Sequence, residues 1–567
     1  MGVSRKGSTS RTVAMGVVKW VFYSLRHNNL DNTSNREDMF ASAHSSCIVG
    51  LDAVPVEVEV HVRDGTPPRF TILGLGGAAV RESRERILTA LEHAGFNPPG
   101  IILVNLAPAE IKKESAAFDL PIALALARAF GALPQGALEN VAIVGELSLT
   151  GEVKRSPGVT AHALAAVQAG ISCIIVPEEN SGEAAVVGGI KVIGVRSLAQ
   201  AIRILKGDEE PCYKVRAPFE AQVAIKTLDD VLGQGAAKRA LAIAAAGNHN
   251  LLMIGPPGCG KSMLAERLSS LLPPLNPNEL LEVLRIHSIA GQATAPVLSG
   301  LRPFRSPHYI ISDAGLIGGG GMPRPGEVSL AHRGVLFLDE FPEFKRSTVE
   351  AMRSPLETGW VQVARAKASI NYPARFQLIA AMNPCPCGRF GTKAGGCRCS
   401  HRAIRDYLAK LSQPILDRID LHVELEAVDV DDLVWTDARQ TRSEAIAPAA
   451  VFAARDRQIA RNGVLNSEVH DATLRTQTRI TQGARALLGE AMKRLGMSAR
   501  GYTRVLRVAI TIADLIEQDE LNEEIVAEAV SYRSLDRLSN IIHEGGAFVR
   551  SHAQQVGRSQ ELVRGLR

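Results

Sequence analysis

The strongest constraint on this chain is one run of eight residues, Gly255, Pro256, Pro257, Gly258, Cys259, Gly260, Lys261 and Ser262. It follows the apolar run Leu251 to Ile254 directly and leads into helix-forming residues, Met263 to Leu272. A strand, a glycine-rich loop and a helix in that order wrap phosphates. The glycines let backbone N–H groups turn inward, the lysine reaches the β- and γ-phosphates, the serine hydroxyl holds Mg²⁺, and the helix N-terminus adds its dipole. The loop predicts a nucleotide site built on an α/β domain.

Two later runs supply what such a site needs. Gly334 to Glu340 reads as a buried strand ending in two carboxylates: Asp339 is placed to support Mg²⁺, and Glu340 to polarise the attacking water. A further apolar strand, Phe376 to Met382, ends at Asn383, which could orient the same water or form a turn. Gln413 to Asp420 puts Arg418 on an expected surface, where an unpaired arginine could reach a neighbouring subunit's nucleotide.

At 567 residues the chain exceeds one compact core, since domains run to about 100–200 residues. Residues 1–38 hold a short apolar stretch, Val13 to Leu25, interrupted by Lys19. They read as a disordered extension or an upstream start, with an export signal as the other reading. From 39 to 208 an α/β or α+β domain is expected. Its strands are Ala53 to Val62 (alternating valines), Phe70 to Leu73, Ile101 to Asn105 and Ile171 to Val176, and its helices are Ala78 to Ala94 and Leu120 to Phe130. Asp208 to Pro211 breaks the pattern and opens a linker, 209–226. The nucleotide domain then spans 227–425, a linker-helix region with a helix from Ala450 to Arg461 spans 426–475, a group of helices 476–545, and a tail 546–567.

No stretch of about 18 uncharged apolar residues occurs, so no membrane span is expected. Sixty-four Lys and Arg against 59 Asp and Glu leave a net charge of only +5, so any nucleic-acid surface must be local. Eight cysteines are too few for a disulfide scaffold in a chain of this length, which favours a reducing compartment, the cytoplasm. Four of them, Cys385, Cys387, Cys397 and Cys399, lie close together with glycines between the pairs. They can enclose a tetrahedral Zn²⁺; a loop of reduced thiols is the other reading. Arg389, Lys393, Arg398, Arg402, Arg405 and Lys410 make the same segment basic against one acid, Asp406.

Together, the phosphate loop, Gly334 to Glu340, Asn383, Leu416 to Asp420 and Ser498 to Gly501 resemble an AAA+ ATPase. Phe304 to His308, Gly318 to Gly321, Pro325 to His332 and Asn383 to Gly388 narrow the resemblance to the magnesium-chelatase-subunit-like group called YifB or ComM. It extends from Met39 to about Leu538. The resemblance implies ATP and Mg²⁺ as cofactors, sensor 1 at Asn383, an arginine finger acting in trans at Arg418, sensor 2 at Arg500 rather than Arg504, Gln234 beside the adenine, and a C-terminal helical lid. Cys259 stands where the family usually has Thr, and Tyr309 where it usually has a second His.

The first domain is similar to the Lon-protease proteolytic fold, most clearly in Gly145 to Val153. Its Lys position falls on Thr160 and its Ser position at or beside Asp119; neither can act in a Ser–Lys dyad, so peptidase activity is not expected. Trp360 to Pro373 reads as a hairpin with Arg365 and Lys367 near its tip, and in related ATPases such a hairpin projects into a ring pore, where cations could follow a phosphate backbone. The resemblance thus implies a homo-hexameric ATPase that moves DNA, of helicase or branch-migration type, in recombination or natural transformation. An ATP-driven protein remodeller or chelatase-type motor without a DNA role is the alternative.

Overall fold

The alternating valines do form a strand, Asp52–Arg63, and Val56, Val58, Val60 and Val62 point to one buried face. Each such side chain contributes on the order of 1.5–3 kcal/mol of burial free energy. In the computed structural model, which describes residues 39–97, 100–215, 226–320, 323–365, 368–390, 396–427 and 446–533, this strand is not the first of the domain. Met39–Val49 precedes it and pairs with it antiparallel along its whole length, from Met39 opposite Val62 to Val49 opposite Asp52. The expectations for residues 1–38, for most of the linker 209–226, for part of 426–475 and for the tail 546–567 lie outside the described residues.

The first unit is an eight-stranded mixed sheet in the order Tyr213–Lys214, Lys191–Val195, Cys173–Pro177, Val141–Ile143, Met39–Val49, Asp52–Arg63, Ile101–Ala107, Arg69–Leu73. Tyr213–Lys214 falls inside the expected linker, yet it closes the edge of this sheet against Lys191–Val195. The helices Ala78–His93 and Asp119–Ala129 share one core with the valine face.

The second unit is a five-stranded sheet in the order Phe304–Arg305, Val335–Leu338, Gln377–Met382, Leu251–Ile254, Leu421–Glu424, with every neighbouring pair parallel. The three central strands are buried at every position, as strands covered on both faces must be. The helices Pro448–Asn462, Gln482–Leu495, Ala499–Leu515 and Glu523–Ser531 join the helix Gly235–Gly247 in one core with this sheet. Among the described residues no helix is long and apolar enough to cross a membrane.

The two units meet through the helices Val159–Gln168 and Pro277–Ile289, with Glu183 between them. The buried Glu183 carboxylate accepts hydrogen bonds from the Thr160 N–H and hydroxyl, both at 3.0 Å, from Asn180 Nδ2 at 3.1 Å and from the Ser288 hydroxyl. Asp119 is likewise buried and accepts from Arg86 Nε at 2.7 Å and from the Leu147 N–H at 3.2 Å. Thr160 and Asp119 thus hold the first unit and its junction together. Lys154 pairs with Glu152 at the surface, and Ser115 accepts from the Ala117 N–H.

Candidate nucleotide site

Parallel register brings the ends of three strands to one edge. Ile254 lies opposite Met382, and Leu338 opposite Ala380. Gly255 and Asn383 therefore leave the sheet side by side, and Asp339 emerges one strand further along. This carboxyl edge is where open α/β sheets place ligands.

The loop takes the shape its glycines permit. Gly258 and Gly260 have φ of +79° and +91°, in the left-handed region that a side chain would strain. Cys259 turns inward and is buried, and burial raises its thiol pKa. The two left-handed glycines flank Cys259, so the backbone shapes the loop here. The helix that follows is Lys261–Arg267, continued by a 3₁₀ turn, Leu268–Leu271, and is shorter than expected. Pro273 forces Leu272 into extended backbone and ends it.

The side chains converge at this edge. Lys261 Nζ donates to Asn383 Oδ1 at 3.2 Å and to the carbonyls of Gly255 and Pro256 at 2.8 and 2.9 Å. Ser262 Oγ donates to Asp339 Oδ2 at 2.6 Å. The two oxygens are hard ligands of the kind Mg²⁺ selects. Glu340 is exposed, and its own backbone is left-handed at φ +52°, a non-glycine outlier of the sort that costs about 1–3 kcal/mol and collects at functional sites. Its N–H is tied to Asp339 Oδ1 at 2.9 Å, which fixes the turn that presents the carboxylate. Gln234 lies beside the loop, with Nε2 donating to the carbonyls of Cys259 at 3.3 Å and Glu426 at 2.8 Å.

Arg418 is not the unpaired surface arginine that its sequence context implied. It follows the helical turn Gln413–Leu416, donates through Nη1 to the Pro414 carbonyl at 2.6 Å, and forms an ion pair with Glu357. Arg418 foremost, and Arg500 with it, hold the Glu357 carboxyl below its usual range, so both arginines border the same acid. Arg500 is the second residue of Ala499–Leu515 and is exposed. Arg504, one turn on, is half-buried and lies 3.9 Å from Asp420 instead.

The four cysteines come together as well. Cys385 Sγ lies 3.4 Å from Cys387 Sγ and 3.8 Å from Cys397 Sγ, Cys387 and Cys397 are 3.6 Å apart, and all four sulfurs fall within 4.8 Å of one another. Thiolates at 2.3 Å from a tetrahedral zinc stand about 3.8 Å apart, so the donor set fits that ion. The backbone N–H of Arg389 favours the Cys387 thiolate, whose pKa falls to about 6. The hairpin is present as Trp360–Arg365 and Ala368–Pro373, with Arg365 opposite Ala368. Its tip, including Lys367, lies outside the described residues, as does the Arg365 side chain.

Sequence reasoning missed Glu357 and Tyr407. Glu357 is an ordinary acid on a short helix, Arg353–Thr358, and only its placement beside Arg418 marks it. Tyr407 is buried, and burial pushes its hydroxyl up to about 12, against the Asn383 backbone, which favours the charged form.

The chain matches the family described as magnesium chelatase, subunit ChlI, over residues 227–433, with a further ChlI match over 58–180 and the ChlI C-terminal family over 440–533. It is 40% identical to the YifB protein of Salmonella typhimurium over 504 residues, covering 89% of this chain and 98% of that protein. The competence protein ComM of Haemophilus influenzae is 40% identical over 505 residues, 88% and 98% of the two chains. A shorter match, 26% over 221 residues, covers 36% of this chain and 44% of the DNA repair protein RadA of Halalkalibacterium halodurans. The nucleotide loop, the paired carboxylates and the cysteine cluster thus sit in a chain that belongs to the YifB/ComM family of magnesium-chelatase-like AAA+ proteins.

Proposed function

We propose that the chain is a ring-forming ATPase, active as a homo-hexamer, that couples ATP hydrolysis to movement on DNA. The observation that carries the ATPase reading is the convergence of Lys261, Ser262, Asp339 and Asn383 at one sheet edge. In this reading Lys261 exchanges its carbonyl partners for phosphate oxygens. Ser262 and Asp339 hold Mg²⁺, which neutralises developing phosphate charge. Glu340 takes the proton of the attacking water, Asn383 orients that water, and Gln234 lies beside the adenine. Arg418 supplies positive charge to the nucleotide of a neighbouring subunit as an arginine finger, and Arg500 serves as sensor 2. The four cysteines hold one structural zinc.

The DNA role rests on the relatives named for competence and for DNA repair, and on the hairpin Trp360–Arg365 and Ala368–Pro373. Branch migration in recombination or natural transformation is the activity this combination fits. A protein-remodelling or chelatase-type motor is the second reading, favoured by the family match to a magnesium chelatase subunit. The deciding measurement is the ATPase rate alone and with single-stranded, duplex and branched DNA. Stimulation by one DNA form supports the DNA motor. Active ATPase that ignores all three transfers the reading to protein remodelling.

A further inference from the structure

The cysteine cluster touches the phosphate loop. Cys385 follows Asn383 by two residues and is completely buried. The chain then turns back on itself, with the Gly388 N–H donating to the Cys385 carbonyl at 2.9 Å. Gly388 has φ +74°, and a Cβ there would lie 2.5 Å from Pro257 Cδ and 2.9 Å from Pro257 Cγ. Backbone of the cysteine turn is therefore seated directly on the ring of a phosphate-loop proline. From the other side Asn383 accepts from Lys261 at 3.2 Å. The loop is gripped at two points by one short segment, 383–388, whose course is set by where Cys385 and Cys387 are held.

We propose that the thiolate-bound metal acts as a brace for ATP binding: ligation of Cys385 and Cys387 by a metal shared with Cys397 and Cys399 fixes segment 383–388, and Gly388 then holds Pro257 in the phosphate-binding course. Gly388 is a positioning residue, acting through Pro257. The inference rests on the metal reading above, and its consequence is functional: metal occupancy sets affinity for ATP. The four sulfurs fall within 4.8 Å of one another, a spacing that a single tetrahedral metal accommodates.

The test separates the brace from the metal. Zinc content, the dissociation constant for a fluorescent ATP analogue, turnover at saturating ATP and melting temperature are measured for the wild type, Gly388→Ala and Cys397→Ser/Cys399→Ser. Wild type should carry about one zinc per chain. Gly388→Ala keeps every thiolate, so it should keep the zinc, yet bind ATP about tenfold more weakly, the effect of roughly 1.4 kcal/mol of strain passed to the loop. Turnover at saturation should change less than affinity, a split that general loss of stability would not produce. The double cysteine variant, which leaves Gly388 and Pro257 unchanged, should lose zinc and show the same loss of affinity. Because Gly388→Ala could disturb folding, Gly388→Ala/Pro257→Ala is made beside Pro257→Ala: removing the ring that the new Cβ meets should restore affinity relative to Gly388→Ala. Wild-type affinity in Gly388→Ala overturns the brace even if zinc is bound. Wild type that lacks zinc overturns the metal reading and the metal-dependent brace together, while the Gly388 and Pro257 variants still report whether the contact sets affinity.

Discussion

Ser262 donates its hydroxyl to Asp339 at 2.6 Å, so the phosphate loop and the strand Val335–Leu338 already meet where a divalent cation needs both. Glu340, the next residue, is exposed on its left-handed turn and has no part in that contact. Binding and hydrolysis should therefore separate by mutation. Lys261→Ala should weaken ATP binding, because the ammonium that meets the phosphates is gone. Glu340→Gln should bind ATP as the wild type does and lose turnover by about 10²-fold or more, the usual weight of a positioned acid–base group. Equilibrium binding and single-turnover hydrolysis read the two effects independently. Normal turnover in Glu340→Gln would remove Glu340 from the role.

Arg418 and Arg500 gather around Glu357, which ties the second prediction to assembly. If Arg418 serves a neighbour, Arg418→Ala should lower ATPase activity by about 10³-fold, the lower range for an arginine finger. Mixing it with the equally inactive Lys261→Ala should restore part of the activity, since a mixed ring pairs an intact phosphate loop with an intact arginine. Activity per subunit should rise with protein concentration. A fully active monomer, or mixtures that remain dead, would place Arg418 outside the reaction.

Much of the site was legible because its chemistry is written in contiguous runs. The phosphate loop, Asp339 and Glu340, and Asn383 each end an apolar strand, and parallel pairing needs no further information to bring such ends together. What stayed hidden depends on pairing across distance. Met39–Val49 is a strand of small residues, Ala41, Ala43, Ser45 and Ser46, whose partner alone makes it one. Tyr213–Lys214 read as linker because two residues carry no period, and only the edge at Lys191–Val195 recruits them. Arg418 looked free because nothing in its neighbourhood in sequence announces Glu357, 61 residues earlier.

His162 gives the third prediction. It lies in the first unit with Nδ1 2.6 Å from Ser46 Oγ, and burial lowers its pKa from 6.5 to about 4. The folded state thus resists a proton that the unfolded chain accepts. The stability this protects is complete above about pH 6.5 and is lost as pH falls toward about 4, amounting to roughly 3 kcal/mol at the acid end. Urea melts across that range should show wild-type stability declining toward acid, and His162→Gln should flatten the decline. Buried His422 is shifted in the same direction and leaves a residual slope. Identical slopes for wild type and His162→Gln would mean that His162 does not titrate with folding.

The last prediction concerns the hairpin Trp360–Arg365 and Ala368–Pro373. Val361, Val363 and Tyr372 anchor it in the core of the nucleotide domain, and the Tyr372 hydroxyl donates to the Pro323 carbonyl at 2.8 Å, so the base is fixed; Arg365 closes the first strand and Lys367 follows it in sequence. Cations carried on such a turn meet phosphates rather than base edges. DNA binding should then be insensitive to sequence and weaken as salt rises, and each phosphate contact removed should lower the salt slope by about one. The proposed ring would repeat the pair in every subunit. Arg365→Ala/Lys367→Ala should therefore impair strand movement on a synthetic four-way junction far more than ATP hydrolysis without DNA. The DNA-free rate serves as the folding control, because the substitutions leave Tyr372 and the strand Gln377–Met382 untouched. A double variant that moves strands at the wild-type rate, with an unchanged salt slope, would rule out the hairpin as the DNA contact. The basic segment from Arg398 to Lys410 would be the next surface to test.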